Sequence, residues 1–432
     1  MRTEANFTVA NINNFKDALL MWAQQYHEVV WLESNGHQGR YSSFDGLLAV
    51  DALTSMVTDH HQAFEELKSY QHESKDWLFG YMSYDLKNDV EQLTSSNYDG
   101  LGFAELHFFQ PKRIIQINGN EIKFCYLNMV SDEMEEDFRA INSISPTMEQ
   151  APTGESSIRI KLRIFKDDYF NRVQQLLTKI HRGDVYEANF CQEFYAEDTT
   201  IDPLRTFQKL NAISKPPFAT FLKLNDVYAL SASPERYIKK HGAKIISQPI
   251  KGTAKRSMDP VEDASLKRNL EHDPKERAEN IMIVDLVRND LSKSALKGSV
   301  EVEELCKVYS YQQVHQMIST IVATVDKEKN PVEIIQETFP MGSMTGAPKV
   351  SAMKIIEELE ATKRGLYSGA IGYFTPAGDF DFNVIIRSIL YNATHRYVSF
   401  SVGSAITAKA SPEKEYEECL LKAKAMRLVL EE

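Results

Sequence analysis

Two predicted helices of this chain each place a pair of glutamates at the head of an apolar stripe. One helix, which begins at about residue 274, carries Glu276 and Glu279, and the last helix carries Glu415 and Glu418. Residues three apart share one face of a helix, and here that face continues into the buried side. Carboxylates in such a position are costly to bury unless something neutralises them. Any fold of this chain must therefore either solvate these four charges or provide a counterion.

Each pair also has an ordinary structural interpretation. Glu276 completes the capping-box pattern that Asp273 and Pro274 begin, and Glu415 is a first-turn carboxylate, which the helix dipole favours. For either pair alone, this interpretation is the better one. Four carboxylates on two similarly built helices instead favour a shared hard cation. Oxygen ligands without His or Cys indicate Mg²⁺ rather than zinc.

The composition limits the partners of the chain. Its 432 residues carry a net charge of −12, whereas nucleic-acid binding needs a basic face. The four cysteines are scattered, which indicates free thiols in a reducing compartment. No apolar run reaches membrane-spanning length, and the N-terminus has no signal-peptide core. We therefore expect a cytoplasmic protein without nucleic-acid or membrane partners.

Three features could hold an anion. Arg387 lies in the strand-like run 383–390, where it either faces solvent or pairs with a carboxylate. The turn 342–349 (GSMTGAPK) offers backbone N–H groups at a helix N-terminus, although it does not fit a nucleotide-binding phosphate loop. Lys422, four residues after Glu418, is either a surface ion-pair partner or a cation beside the metal.

Three further side chains are candidates for nucleophilic or acid–base chemistry. Lys251 directly follows an apolar stretch, and burial there would lower its pKa and make the amine a nucleophile. Glu235 and His315 are acid–base candidates. The commoner interpretations are a solvated lysine, a glutamate at a helix start and a hydrogen-bonded core histidine. The residues alone indicate an Mg²⁺ enzyme with an anionic substrate and go no further.

Eight segments together resemble the chorismate-utilising enzymes, a family that includes anthranilate, aminodeoxychorismate, isochorismate and salicylate synthases. Weaker likeness reaches the N-terminal region through WLES and GYMSYDL. The eight segments occur in the family's order from about residue 165 onward: SASPERY, QPIKGTAKR, ERAENIMIVDLVRNDL, VHQMIS, FPMGSMTGAPKVSAMKII, GAIGYF, NVIIRSI and EYEECLLKAKA.

The resemblance implies the fold and its division. The fold would be α+β and similar to anthranilate synthase component I, with two large, mostly antiparallel sheets packed as a sandwich and helices outside. The N-terminal region would span residues 1–141 and the chorismate-binding catalytic domain residues 158–432. Between them, the polar segment 142–157 indicates a linker or surface loop.

The resemblance also implies roles for the candidate residues. The four glutamates would hold Mg²⁺, directly or through water, and the metal would bridge to a carboxylate of chorismate. His315 would lie near the substrate ring. Arg387 and Tyr373 would hold the other carboxylate, with Ser343, the loop around Gly403 and Lys422 assisting.

Lys251 separates the branches of the family. Anthranilate synthases usually read PIAGT where this chain reads PIKGT, and the lysine form resembles aminodeoxychorismate synthase. In that branch the amine is proposed to attack C2 of chorismate while an acid, here Glu235, assists loss of the C4 hydroxyl. Ammonia then adds at C4 to give 4-amino-4-deoxychorismate. Anthranilate synthase component I is the alternative.

Two positions depart from the family's pattern. Glu187 stands where Gln is usual, and the stretch 402–407 (VGSAIT) replaces a GxGIV sequence. Isochorismate and salicylate synthases place a water-activating lysine in the strand around Glu187, so the absence of a lysine there counts against them. Both departures concern local substrate contacts.

Two further expectations concern small molecules. No cysteine lies in a glycine-flanked nucleophile elbow, so we expect ammonia to come from a separate glutamine amidotransferase subunit. The WLES segment, with Glu33 and Ser34, resembles a tryptophan-binding element. In this chain the element would either hold a buried structural tryptophan or be an unoccupied remnant of such a binding site.

Overall fold

The computed structural model describes residues 1–145, 158–311 and 314–431, which form eleven α-helices and twenty β-strands. The helices are α1 (Ile12–Ala23), α2 (Ala63–Ser74), α3 (Lys87–Glu91), α4 (Met134–Ser143), α5 (Lys166–Arg182), α6 (Pro203–Ser214), α7 (Pro260–His272), α8 (Pro274–Ser294), α9 (Pro331–Thr338), α10 (Lys349–Leu359) and α11 (Pro412–Glu431). The strands are β1 (Arg2–Thr8), β2 (Glu28–Glu33), β3 (Gly46–Thr58), β4 (Leu78–Met82), β5 (Leu106–Asn118), β6 (Glu121–Leu127), β7 (Lys161–Leu162), β8 (Glu187–Ala196), β9 (Phe218–Leu224), β10 (Val227–Ser233), β11 (Arg236–His241), β12 (Lys244–Gln248), β13 (Ile250–Lys255), β14 (Glu301–Ser310), β15 (Val314–Thr324), β16 (Gly346–Ala347), β17 (Ala370–Phe374), β18 (Phe380–Asn383), β19 (Ser388–Asn392) and β20 (Tyr397–Thr407).

Local sequence signals explain the helix starts that matter for the site. Asp273 accepts hydrogen bonds from the backbone N–H groups of Lys275 and Glu276, at 2.8 and 3.0 Å, and Pro274 occupies the first helical position of α8. Proline is suited to that position because its missing N–H would have no partner there. Helix α11 begins in a similar way, at Pro412. Glu276 and Glu415 therefore lie in the first turns of their helices, and Glu279 and Glu418 follow about one turn later.

The strands form one antiparallel network with two halves. The first half runs β1–β6–β5–β3–β2–β9–β10–β19–β20–β8, and the second runs β5–β4–β17–β18–β11–β12–β15, with β13 and β14 also paired to β15. The N-terminal part of β5 pairs with β4, and the C-terminal part of β5 pairs with β6. Strand β3 pairs with the opposite edge of β5. The predicted α+β class with antiparallel sheets is confirmed. Strands β3 and β5 belong to both halves of the network. Each has 13 residues, which is long enough for one end to lie in the first half and the other end in the second.

The first half of the sheet has an apolar core on each face. Val29 and Trp31 on β2 pack into a cluster with α1, α5, α6 and α11, whereas Val30 and Leu32 pack into a second cluster with β4, β17 and α8. Successive side chains of a strand point to opposite faces, so the two clusters lie on opposite sides of β2. Helices cover one face, and the second half of the sheet covers the other.

The N-terminal strands are hydrogen-bonded to strands from later in the chain. Strand β2 pairs with β9, and β4 pairs with β17. Helix α4 ends at Ser143, and most of the predicted linker, residues 146–157, lies outside the described residues. Within the described ranges, no helix is both long enough and apolar enough to cross a bilayer.

A glycine in β4 gives a test of this sheet junction. A Cβ atom on Gly80 would lie 2.0 Å from the carbonyl oxygen of His107 on β5, whereas one on Gly39 would meet only Ser42 Oγ, at 3.6 Å. We expect Gly80→Ala to lower the free energy of unfolding by about 1–3 kcal/mol, because the strands must separate to admit the methyl group. Gly39→Ala is the control and should change it by less than about 0.5 kcal/mol. Urea denaturation measures both, and equal midpoints would contradict the pairing of β4 with β5.

Candidate active site

Lys251 and Glu235 lie in one buried cluster. Lys251 is the second residue of β13, and Glu235 lies between β10 and β11. The Glu235 carboxyl is 4% exposed and accepts a hydrogen bond of 2.7 Å from Ser343 Oγ. Burial raises the pKa of Glu235 to about 7, although Ser343 and the charges of Lys251 and Arg387 act in the opposite direction. Near neutral pH, Glu235 can therefore carry a proton and donate it.

The amine of Lys251 lies among carboxylates. Its Nζ is 3.4 Å from Oε1 of Glu187, the first residue of β8. Burial lowers the pKa of Lys251, but the charges of Glu187, Glu279 and Glu418 outweigh burial, so the pKa lies above its usual value. The predicted lowering is wrong because sequence position shows burial but not the acidic neighbours. The acidic neighbours therefore favour the ammonium form of this lysine.

The α8 pair, Glu276 and Glu279, lies against β13. Gly252 directly follows Lys251 and has φ +90°, and a Cβ atom on it would lie 3.2 Å from Oε2 of Glu276. Burial, followed by the charge of Glu279, raises the pKa of Glu276. Burial also raises the pKa of Glu279, and the charges of Lys251 and Lys275 only partly offset that effect. The two carboxylates are therefore crowded, half-buried and poorly compensated.

The α11 pair is held by neighbouring polar groups. Glu415 is 5% exposed and accepts a hydrogen bond from Ser404 Oγ. Lys422 Nζ is 2.7 Å from Glu418 Oε1 and donates a 2.8 Å hydrogen bond to the carbonyl oxygen of Gly403. Burial raises the pKa of Glu418, but Lys422 and, more weakly, Lys251 bring it below its usual value. Lys422 therefore places a positive charge beside the cluster and also links α11 to β20 through a hydrogen bond.

Gly403 fits its position because it has no side chain. A Cβ atom there would lie 2.6 Å from the sulfur of Cys191 on the paired strand β8. This is far inside van der Waals contact, so any larger residue would require the Cys191 side chain to move.

The two acidic pairs face a common region. Burial lowers the pKa of Lys275, but the combined charges of all four helix glutamates raise it above its usual value. Carboxylate oxygens from two helices suit a hard divalent cation. The carboxylate oxygens of the four glutamates are not close enough together to form a compact ligand set in this structure. Within the described ranges, the only set of three His, Cys, Asp or Glu ligand atoms mutually within 4.8 Å is Asp59, His60 and His61, between β3 and α2. The four glutamates thus fit Mg²⁺ in ligand type and in charge.

Arg387 is not in a strand. Strand β18 ends at Asn383 and β19 begins at Ser388, and Arg387 between them has φ +52°. The predicted continuous strand is wrong because this segment turns around the Glu235 loop: Val384 N donates to the Glu235 carbonyl (3.0 Å), and Ala232 N donates to the Arg387 carbonyl (3.1 Å). Burial lowers the pKa of the Arg387 guanidinium, and the charge of Glu235 opposes that change. A left-handed arginine beside a buried carboxyl is a strained feature of the kind that functional sites retain.

Tyr373 does not join this cluster. It lines a separate cavity of about 290 Å³ that also contains Phe44 and Ser34. Its ring centroid lies 5.4 Å from that of Trp77 and 5.7 Å from that of Phe79. The structure therefore does not bring Tyr373 to the cluster that contains Arg387 and Glu235, where the resemblance predicts it. On β17, the tyrosine packs among aromatic rings of the N-terminal strands.

The WLES segment contributes to the same cavity. Trp31 itself is fully buried in the core, whereas Glu33 and Ser34 line the cavity. Glu33 already pairs with Lys16 at 2.7 Å and accepts from Trp31 Nε1 at 3.3 Å. The cavity is therefore built partly from the segment that the sequence singles out, at a place distinct from the Lys251 cluster.

His315 is buried on β15 with both ring nitrogens in hydrogen-bond contact. Nδ1 lies 2.9 Å from Ser310 Oγ, and Nε2 lies 3.0 Å from Asp263 Oδ1. Strand β15 pairs with β13, and His315 stands opposite Ala254, three residues after Lys251. Asp263 is further held by Arg256, at 2.8 Å. The sequence gives no signal for Asp263, because it lies 52 residues before the histidine that it contacts.

A buried ion pair supports the turn that carries Ser343. Arg364 pairs with Glu360 at 2.7 Å, and it donates to the carbonyl oxygens of Met344 (2.6 Å) and Asn189 (2.7 Å). The guanidinium therefore ties the 342–344 turn to β8. Sequence reasoning missed this pair, because both residues follow the end of α10, where helical spacing no longer places side chains on one face.

Comparison with known proteins agrees with this architecture. A profile of the chorismate binding enzyme family matches residues 27–428. The aminodeoxychorismate synthase of Streptomyces griseus is 38% identical over 319 residues, which cover 71% of this chain and 43% of that protein. Aminodeoxychorismate synthase component 1 of Escherichia coli is 40% identical over 253 residues, which cover 59% of this chain and 55% of that protein. The chain thus spans about half the length of these relatives.

A solved structure shows the same fold. Anthranilate synthase component I of Streptococcus pneumoniae superposes with a TM-score of 0.76 at 24% identity, over 91% of this chain and 95% of that one. The predicted likeness to the anthranilate synthase component I fold is therefore confirmed. The family profile spans both halves of the sheet and every element of the Lys251 cluster. This chain belongs to the family of chorismate binding enzymes.

Proposed function

We propose that the chain aminates chorismate at C4 to give 4-amino-4-deoxychorismate, with Lys251 as nucleophile and Glu235 as acid. The observation that carries the proposal is that a lysine amine and a carboxyl with a pKa of about 7 share one buried cluster. The relatives named aminodeoxychorismate synthase support this reaction over others of the family. Such a product would place the protein in para-aminobenzoate and folate synthesis, in the cytoplasm.

The proposed reaction divides one displacement into two allylic steps. The neutral Lys251 amine forms a bond to C2, both double bonds of the conjugated ring diene shift by one position, and the C4–O bond breaks as Glu235 gives its proton to the leaving hydroxyl. Ammonia then forms a bond to C4, both double bonds shift back, and the C2–N bond to Lys251 breaks. Protonation of the hydroxyl matters because water leaves far more easily than hydroxide.

The four helix glutamates would hold Mg²⁺ in this proposal. The ion would supply positive charge for a carboxylate of the substrate at a site that is otherwise acidic. Arg387, Ser343, Lys422 and the strand around Gly403 would contact the rest of the substrate, and His315 would lie near its ring. Tyr373 has no place in this arrangement, since it lines the other cavity.

Lys251→Ala tests the nucleophile. With chorismate, Mg²⁺ and ammonium salt, we expect the wild-type chain to form aminodeoxychorismate and the variant to lose at least about 100-fold in rate. Lys255→Ala is the matched control, because Lys255 is an exposed lysine on the same strand. Chromatography of the products measures the rates.

The same assay distinguishes the proposed amination from the alternative activity. Anthranilate synthase component I, the alternative in this family, would release pyruvate and form fluorescent anthranilate. Appearance of anthranilate, or full activity of Lys251→Ala, would refute the proposed reaction.

Ser343→Ala tests the acid. The Ser343 hydroxyl donates to the ionised carboxylate and so lowers the pKa of Glu235, and its removal should raise that pKa above about 7. Because Glu235 acts in its protonated form, the alkaline limb of the pH–rate profile should move to higher pH. Infrared difference spectra of the carboxyl band, assigned with Glu235→Gln, measure the pKa directly. Ser292→Ala, an exposed serine on α8, is the control, and a pKa that moves downward would contradict the hydrogen bond.

The source of ammonia is a third test. We propose that a separate glutamine amidotransferase subunit delivers ammonia, as the name component 1 of the Escherichia coli relative suggests. The purified chain should therefore turn over chorismate with ammonium salt but not with glutamine. Clear glutamine-dependent turnover by the chain alone would refute a separate subunit.

A further inference from the structure

Glu187 contacts the amine of Lys251, and the reaction as proposed above gives it no role. Oε1 of Glu187 lies 3.4 Å from Nζ, and the Glu187 side chain is 3% exposed. Its second oxygen, Oε2, is buried and has no hydrogen-bond partner in the described part of the chain. A buried carboxylate with unused acceptor capacity beside an ammonium is placed to accept a proton.

The other carboxylates whose charges act on Lys251 each have a different partner. These contacts are Glu279 with Lys275 (3.7 Å), Glu418 with Lys422 (2.7 Å) and Glu235 with Ser343 (2.7 Å). Glu279 and Glu418 also belong to the proposed cation site, and Glu235 must keep a proton for the leaving hydroxyl. Among these carboxylates, Glu187 therefore both contacts the amine and has no other function in the proposed reaction.

The backbone fixes Glu187 on both sides. It is the first residue of β8, and it pairs with Ala347 of β16 on one edge and Thr407 of β20 on the other. The N–H of the preceding Tyr186 donates to the Ala347 carbonyl at 2.7 Å. A carboxylate on a strand held at both edges keeps its distance to the amine, as proton transfer requires.

We infer that Glu187 is the catalytic base that takes the proton from Lys251 before the amine attacks. The inference rests on the proposed amination. The Nζ–H bond breaks and an O–H bond forms on Glu187, which leaves the electron pair on nitrogen for the bond to C2. When the C2–N bond breaks later, the amine recovers its proton from Glu187. Ammonia bound at C4 gives its extra proton to the Glu235 carboxylate, so both acids return to their starting state.

The first test measures the Lys251–Glu187 contact without any substrate. Trace acetylation of the intact chain at a series of pH values, followed by mass spectrometry of the Lys251 peptide, gives the pH midpoint of its reactivity. Glu187→Gln keeps the shape but removes the charge that favours the ammonium, so the midpoint should fall by about one pH unit. Glu197→Gln is the control, because Glu197 is an exposed carboxylate just after the same strand. An unchanged midpoint in Glu187→Gln overturns the inference.

The second test measures the reaction. The chorismate- and ammonium-dependent rate should fall about 100-fold in Glu187→Gln near neutral pH, since loss of a general base has effects of this order. The loss should shrink at higher pH, where hydroxide removes the proton, and the KM for chorismate should stay unchanged. Glu187→Asp, which keeps the charge, should recover part of the rate. Equal rates of wild type and Glu187→Gln at all pH values overturn the inference.

The two tests separate the inference from the function on which it rests. If Lys251→Ala still aminates chorismate, the proposed function fails, whereas the acetylation midpoint still reports the contact. If Lys251→Ala is inactive while Glu187→Gln is not, the nucleophile stands and the base is wrong.

Discussion

Charge compensation around Lys251 links elements that are distant in the sequence. Its nearest carboxylate comes from β8, 64 residues earlier, and two others come from α8 and α11. At an effective dielectric constant of about 20, the attraction within an ion pair at this distance is about 5 kcal/mol, which is similar to the cost of removing its charges from water. The pair therefore adds little to the stability of the fold. Its effect is on reactivity, because it determines how readily the amine gives up a proton.

The joined sheet explains how these elements meet. Glu187 and the α11 glutamates belong to the first half of the sheet, since β8 pairs with β20 and α11 packs on β20. Lys251 and the α8 glutamates belong to the second half, since β13 pairs with β15 and α8 packs on both strands. The site therefore lies between the two halves. Strands β3 and β5, which run through both halves, join the part of the sheet that carries the amine to the part that carries Glu187 and the α11 glutamates.

The sequence was informative wherever the signal is local. The Asp273–Pro274 cap and the spacing of Glu276 and Glu279 predicted the start of α8 and the face that these two glutamates share, because a helix repeats every 3.6 residues. The same reasoning was wrong for α11, where Leu421 and Leu428, predicted to continue the face of Glu415 and Glu418 into the core, are 58% and 38% exposed. The left-handed Arg387 was missed because an apolar run says nothing about a turn forced by hydrogen bonds to the Glu235 loop. The pKa direction of Lys251 was missed because it depends on strand neighbours that only the complete sheet brings together. Tyr373 shows the same limit, since its cavity is made from N-terminal strands.

The balance of charge in the cluster also bears on how a dianionic substrate enters. Six carboxylates surround the site, those of Glu187, Glu235, Glu276, Glu279, Glu415 and Glu418, against four cations, Lys251, Lys275, Arg387 and Lys422. Even with Glu235 protonated, the carboxylates outnumber the cations, so the site repels a second anion. Under the proposed function, a divalent cation on the helix glutamates would reverse this balance. The electrostatics then favour metal binding before substrate binding, since the bound cation would offset the negative charge that a dianionic substrate meets.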